Sequence, residues 1–305
     1  MTRYSATTLD LSNLSAPTVI ADIDFEQILR SRKTDLVERF LSAGISYDVQ
    51  SLAADPAVVL EEVDGYREVL VRGAINDAAK ATMLAFALGS DLDHLAALYG
   101  VARRLVTAAT DTAAAVYESD TELRRRVQLS PEALTTCGSE AAYVFHALEA
   151  ASALIDAVPI VGTTASGQTQ VRVVCLDRGE TGIPSATTLE AARARLMRSD
   201  VKPMTVPVSV SGPSVIHYDV AGVLRIAAGP DPSLVASAAT SAATALAAAR
   251  RGLGVDVLRQ AYEASARVSG VEVVVLTSPP ADIVVSLDAV AICDGISFTT
   301  EVIDG

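Results

Sequence analysis

The chain has 305 residues, half of them hydrophobic and 20% charged, which excludes a disordered polymer and leaves room for two or three packed units. Aromatics make up 4% and Trp is absent, so the core must be built from Ala, Val, Leu and Ile, and stacking platforms for single-stranded nucleic acid are not expected. Against 24 Lys and Arg stand 37 Asp and Glu; the net charge of −13 repels phosphate backbones and anionic lipid, so neither nucleic-acid binding nor membrane insertion is expected.

Residues 1–23 carry Ser, Thr and Pro17 and read as an extended arm, in which Asn13-Leu14-Ser15 matches a glycosylation sequon by chance. No signal-like apolar block follows the N-terminus, which predicts a protein that is soluble and cytoplasmic when made. From Asp24, Phe25, Ile28, Leu29, Leu36, Val37, Phe40 and Leu41 recur with a 3.6-residue period, predicting a helix that ends near Gly44.

Asp55-Pro56 is a strong helix start, since Asp caps free amides and Pro is tolerated in the first turn. Beyond it Val59, Val63, Tyr66, Leu70, Ala74, Ala78, Ala81, Ala85 and Leu88 recur at steps of three and four. They predict one unbroken helix to about Leu88, a rod of roughly 50 Å with a single apolar stripe. Its later half is rich in Ala, with Gly65 and Gly73 nearby, and suits close packing of another helix. That helix is either the one at 25–43 or one from a partner chain. Asp64 with Arg67 and Glu68 with Arg72 have helical spacing and support the rod. Gly89 ends it, and Ser90-Asp91-Leu92-Asp93 opens a short capped helix.

The Ala- and Thr-rich stretch 101–117 fits no element. Capped helices then start at Ser119-Asp120-Thr121-Glu122, at Ser130-Pro131-Glu132 and at Ser139. Strands are expected at 154–161, 170–176, 205–211, 215–226, 271–276 and 283–286, with a further strand pair in the tail 289–303. Pro207 moves its strand to a sheet edge. Helices are expected at 186–198, after Asp231-Pro232 and at 256–268; the run 232–249 is too weakly hydrophobic for a convincing membrane span. Ala147-Leu148-Glu149-Ala150 and Ala261-Tyr262-Glu263-Ala264 each precede an apolar strand, an echo of one helix-then-strand unit. The fold class expected is α+β: an N-terminal long-helix region followed by two smaller α+β domains with mostly antiparallel sheets.

Motifs for chemistry are missing: the sequence has no phosphate loop, dinucleotide fingerprint, nucleophile elbow or HExxH. Cys137, Cys175 and Cys293 are far apart, odd in number and unaccompanied by ligand spacing; they read as reduced and mostly buried. His94, His146 and His217 fall in different elements and read as structural or surface residues. Asp91, Asp93 and His94 lie too close together on one short helix to converge on a metal. Glu61-Glu62 and Asp91/Asp93 leave open a carboxylate pair for acid-base work, the rival reading of an α+β enzyme or ligand-binding protein. The arginine clusters 103–104, 124–126 and 250–251 read as solvated faces or protein contacts. No cofactor, metal or catalytic residue is expected.

One ordered set of residues runs through the chain. It comprises Phe25-Glu26, Arg32-Lys33, Tyr66-Arg67-Glu68, Arg72, Asn76-Asp77-Ala78-Ala79, Met83-Leu84-Ala85 and Gly89-Ser90-Asp91-Leu92-Asp93. It continues with Glu118-Ser119-Asp120, Gly138-Ser139, Phe145-His146-Ala147, Asp200-Val201-Lys202-Pro203, Gly270-Val271-Glu272 and Pro280-Ala281-Asp282-Ile283-Val284. With these, the sequence from about Leu11 to about Val302 resembles the baseplate J-like proteins, wedge components of contractile phage tails.

The resemblance implies a structural protein of the virion tail baseplate, assembled in the host cytoplasm. Its implied partners are a second copy of itself, other wedge proteins, neighbouring wedges, and hub or sheath-initiating components; it would relay the rearrangement that triggers sheath contraction. The corresponding division is an arm at 1–23, a helical wedge-bundle region at 24–117, and α+β domains at 118–211 and 212–305. The stripe from Val59 to Leu88 becomes the expected partner interface.

Overall fold

The computed structural model describes residues 11, 14, 15, 17, 19, 22–47, 55–134, 138–164, 167–203, 205–229 and 231–303. Most of the arm read at 1–23, including Asn13, and Cys137 lie outside them. The chain divides into a helical unit, Leu9–Leu98, and a second unit that takes in everything from Tyr99 on.

In the helical unit, α1 spans Phe25–Ser42, α2 spans Pro56–Ala81 and α3 spans Gly89–Leu98. Asp24 caps α1 by accepting from the amides of Glu26 and Gln27. Asp55 does the same for Ala57 and Val58 at the start of α2, and also accepts the Tyr47 hydroxyl at 2.6 Å. That hydroxyl holds the Asp55 carboxyl below the usual carboxylate range, while the shared hydrogen bond pushes the Tyr47 phenol up to about 12.

The rod is shorter than its periodicity predicts: α2 has 26 residues, about 39 Å at ~1.5 Å per residue. Past Ala81 the amides of Thr82 and Met83 bond three residues back, and the Thr82 hydroxyl donates to the Ala79 carbonyl, so the last turn tightens and stops. Ala85 and Leu88 therefore stand in the connection to α3 and not on a helix. α3 begins at Gly89, one residue before the expected Ser90 cap, on a backbone with φ +51°.

In the second unit, the unassigned stretch 101–117 forms a small antiparallel hairpin, β1 (Leu105–Thr107) with β2 (Val116–Tyr117). α4 (Asp120–Leu129) opens with a complete capping box between Ser119 and Glu122. A 3-10 turn, Ser130–Leu134, follows, and then α5 (Glu140–Ala150), capped by Ser139. The first three-stranded sheet has the order β3-β4-β5: β3 (Leu154–Thr163) runs antiparallel to β4 (Thr169–Asp177), and α6 (Ala186–Leu196) leads to β5 (Val208–Ser211), parallel to β4. Pro207 immediately precedes β5, which is an edge strand as Pro207 predicted.

The second sheet has the order β7-β6-β8. β6 (Ser214–Ala227) pairs antiparallel with β7 (Val271–Ser278) and parallel with β8 (Ala289–Ile303); α7 (Pro232–Ala249) and α8 (Arg259–Ala266) connect β6 to β7. Gly222 is required where β6 meets β7, since a Cβ there would stand 2.7 Å from the Val275 carbonyl oxygen. The fold is α+β as expected. Antiparallel pairings outnumber parallel ones, although the long β6/β8 pairing is parallel.

The tail is one strand, not a pair. Asp294-Gly295 looks like a hairpin turn, but in the β6/β8 register Tyr218 faces Cys293 and Asp219 faces Gly295, so Asp294 is the extra residue of a bulge. Residues 283–286 contribute only an isolated bridge, Ile283 to Val257. The sequence echo falls on equivalent places: α5 precedes β3 and α8 precedes β7, each the antiparallel edge strand of its sheet.

α7 and α8 cover one face of the second sheet, where Tyr218, Val220, Ala243, Tyr262 and Leu276 form one cluster and Leu224, Ile226, Val235, Ala239 and Ala266 another. α7 is long and apolar enough to cross a bilayer by length and composition, yet Val235, Ala239 and Ala243 are committed to this core. Val158, Val174 and Leu176 of the first sheet pack with Leu253 and Val290, so the two sheets share a core.

Candidate partner surface and its internal supports

α1 covers only one side of α2. On that side Val58, Gly65 and Asn76 are buried, and the Arg32 guanidinium of α1 reaches Glu61 at 2.8 Å, Glu68 at 3.1 Å and Asp64 at 3.7 Å. These carboxylates fall on one helical face because they are spaced by three and four residues. Arg72 and Arg32 together hold Glu68 below its ordinary range. Glu61 is thus an ion-pair partner of α1. Gly65 belongs to this side, where an added Cβ would make ordinary contact, 3.5 Å from Phe25, so close approach does not demand a glycine.

The apolar stripe lies on the other side. Val59, Val63, Tyr66 and Leu70 are 43–59% exposed; Ala74 and Ala78 are exposed too, and Ala81 is half-buried. Of the two residues beyond the helix, Ala85 is half-buried and Leu88 exposed. Leu60, Val71 and Ile75 are also exposed; standing four residues from Asp64 and three and seven from Glu68, they lie between the stripe and the carboxylates that Arg32 reaches. A search for single steps of three and four passes over them, although apolar neighbours at 59/60, 70/71 and 74/75 are the signal that would have found them. An apolar helix face rimmed by charge is the surface expected of a protein contact.

The arginine clusters of the second unit turn inward and act as supports. Glu118, 3% exposed, accepts from the Arg104 amide at 3.0 Å and pairs with the buried Arg126. Arg126 also donates through Nε to Glu149 at 2.8 Å, and Arg103 pairs with Asp120 at 2.6 Å. Burial, and then the adjacent Arg126, push the Arg104 guanidinium pKa down. Asp156, likewise 3% exposed, takes Arg125 at 2.7 Å on one oxygen and the Leu253 amide at 3.1 Å on the other. It thereby ties β3 to the segment after α7. Sequence clustering pointed to solvated faces or protein contacts; Arg126 is instead 2% exposed, and two carboxylates, of Glu118 and Glu149, and the Ala102 carbonyl converge on it.

The three histidines do not converge. His146 is buried with neither ring nitrogen hydrogen-bonded, and burial followed by the nearby Arg195 lowers its pKa. His94 is exposed; His217 is exposed and meets the bulged Asp294 at 2.8 Å. Asp91, Asp93 and His94 form no ligand set, and among the described residues no cluster of three His, Cys, Asp or Glu is placed to hold a metal. Cys175 is buried, its thiol pushed up to about 12 by that burial, and Cys293 is half-buried.

Residues 54–110 match the Baseplate J-like N-terminal domain, and residues 135–212 match the Baseplate J-like central domain. Along 93% of its length the chain is 33% identical to Baseplate protein J of Escherichia phage P2, covering 95% of that protein.

Proposed function

The chain belongs to the baseplate J-like family, and from that premise we propose that it is a structural wedge component of a phage tail baseplate, holding its partners through the outer face of α2. The observation that carries this reading is the solvent-facing row Val59, Val63, Tyr66 and Leu70, with α1 already occupying the opposite side. Fully burying a side chain of this size from water is worth roughly 1.5–3 kcal/mol, so four that are about half exposed keep part of that drive to associate. The first partner is a second copy of the chain, and the next are the other wedge proteins. Ala74, Ala78 and Ala81 let a helix approach closely along the later half of the face.

The second unit supplies contacts to neighbouring wedges and to hub or sheath-initiating components, closing a ring. Its buried apolar core and internal ion pairs suit a body that moves as one piece when the sheath contracts, while the interfaces exchange between two packings. Assembly takes place in the host cytoplasm and the product resides in the virion tail. The work assigned to the chain is binding, with no catalytic residue.

Co-expression of the tagged chain with its neighbouring tail proteins tests the reading. Wild-type chain should bring them down together, and Tyr66→Asp with Leu70→Asp should abolish recovery while leaving the chain folded. Ala78→Leu with Ala81→Leu should overpack the same contact. Normal wedge complexes with both pairs of substitutions would remove the face from the interface.

A further inference from the structure

Within the second unit, a cleft of about 740 Å³ is lined by six arginines: Arg104, Arg125, Arg126, Arg178, Arg250 and Arg251. Four carboxylates answer them. Glu118 and Glu149 serve Arg104 and Arg126, Asp156 serves Arg125, and Glu122 serves Arg178 at 2.7 Å. Arg250 and Arg251 meet only backbone carbonyls, of Asp256 and of residues 177–180, and among the described residues neither has an acidic partner. The cleft thus holds a surplus of two positive charges in a chain whose net charge is −13.

The Nε atoms of Arg178, Arg250 and Arg251 are buried without a hydrogen-bond partner, while that of Arg104 faces Glu118 at 3.5 Å. Buried to this degree, these Nε atoms are out of a ligand's reach, so what the cleft offers a partner is the unbalanced charge of Arg250 and Arg251. The other wall is apolar, with Val106, Val116, Leu154, Ile155 and Val255, and Tyr117 stands exposed at its rim. A free inorganic anion could use the guanidinium groups but not that wall. The volume falls within the ~300–1,000 Å³ of ordinary ligand sites.

We propose that this cleft is a docking site for an acidic segment of another polypeptide, whose carboxylates pair with Arg250 and Arg251 and whose apolar side chains lie against Val106, Val116 and Ile155. The assembly reading is used only to place the segment on a neighbouring baseplate chain. Arginine suits the task because its guanidinium stays charged and carries several donors: Arg250 spends one terminal nitrogen on the Asp256 carbonyl, and Arg251, whose terminal nitrogens meet the 177–180 carbonyls, contributes chiefly its charge. Long-range attraction between a cationic cleft and acidic neighbours would also orient the encounter.

The test uses the full chain and a fluorescent peptide of alternating Glu and Leu, its Gln-for-Glu counterpart, and inorganic phosphate as competitor. The Glu peptide should bind, the Gln peptide at least about tenfold more weakly, and about 0.5 M salt should weaken the Glu peptide by a similar factor. Arg250→Ala with Arg251→Ala should cost about tenfold or more. Because Arg251 also braces the 177–180 turn, Ala249→Glu is the second variant: it keeps every arginine, sits exposed in the lining, and should abolish binding with an unchanged melt. No binding of the Glu peptide at about 1 mM, or binding indifferent to Ala249→Glu, would overturn the proposal. So would phosphate binding as tightly as the peptide and displacing it, which would make the cleft a free-anion site. A failure here with α2-dependent assembly intact leaves the wedge reading standing; loss of assembly on the α2 variants leaves the cleft standing.

Discussion

The helical unit and the α+β unit handle their apolar residues in opposite ways. In the second unit, Leu176, Leu196, Leu224, Ile226, Leu253 and Tyr262 are fully buried between helices and sheets, and the pairs that join Arg126 to Glu118 and Glu149 are largely inside as well. In the first, Val59, Leu60, Val63, Tyr66, Leu70, Val71 and Ile75 face water along one helix, and cohesion rests on a narrow seam with α1 and on Arg32. A unit that closes its own core is self-contained; a unit that leaves an apolar helix face in water still has surface to cover. The contrast separates what stabilises the chain from what it offers to other chains.

Arg126→Ala is the sharpest way to probe the closed unit. It would leave Glu118 charged and buried without its main partner, a loss of about 3–5 kcal/mol, to be read from a urea unfolding midpoint. A shift below about 1 kcal/mol would show that the network is solvated after all.

Next comes a matched pair. Leu224→Ala, in the sheet core, should cost about 2–5 kcal/mol. Leu70→Ala on the outer face of α2 should stay within ~0.5 kcal/mol in the isolated chain. Equal losses in thermal melts would erase the distinction between the units.

Two smaller substitutions address the α1/α2 seam. Gly65→Ala should stabilise the chain by up to about 1 kcal/mol, since helix propensity rises and the new methyl has room; destabilisation would mean that the seam requires the glycine. Arg32→Met removes contacts to Glu61 and Glu68 that are partly exposed, and should cost no more than about 1 kcal/mol by chemical denaturation.

The smallest effect is expected from pH. The folded-state pKa of His146 lies below 6.5, so its contribution to stability is complete above pH 6.5 and is lost as the pH falls from there through the folded value. His146→Phe should flatten that part of the stability profile. An unchanged slope would assign it to other groups.

Much of the molecule was legible in local chemistry. Asp24, Asp55, Ser119 and Ser139 each start the helix they were expected to start, because a capping side chain needs only the next few amides. The strands at 154–163, 169–177 and 271–278 announced themselves by apolar runs between turns. The end of α2 was not legible, since apolar residues spaced by three and four continue through the turns at 82–86. The single tail strand was hidden too: Asp294-Gly295 reads as a turn unless one knows that β6 runs alongside to accept a bulge.

The candidate surface shows the same division. Periodicity placed Val59, Val63, Tyr66 and Leu70 on one face, but which side of α2 would meet α1 depended on Arg32 reaching Glu61 and Glu68 from a different helix. For the arginines, neighbours in sequence carried no information about their partners. Arg126 finds Glu149, Arg125 finds Asp156 and Arg251 finds the 177–180 carbonyls only once helices and sheets have packed. Capping, periodicity and turn propensity act over a few residues, so they are written in the chain itself. Burial, ion-pair partnership and the cationic surplus of a cleft are sums over distant segments, and tertiary packing alone decides them.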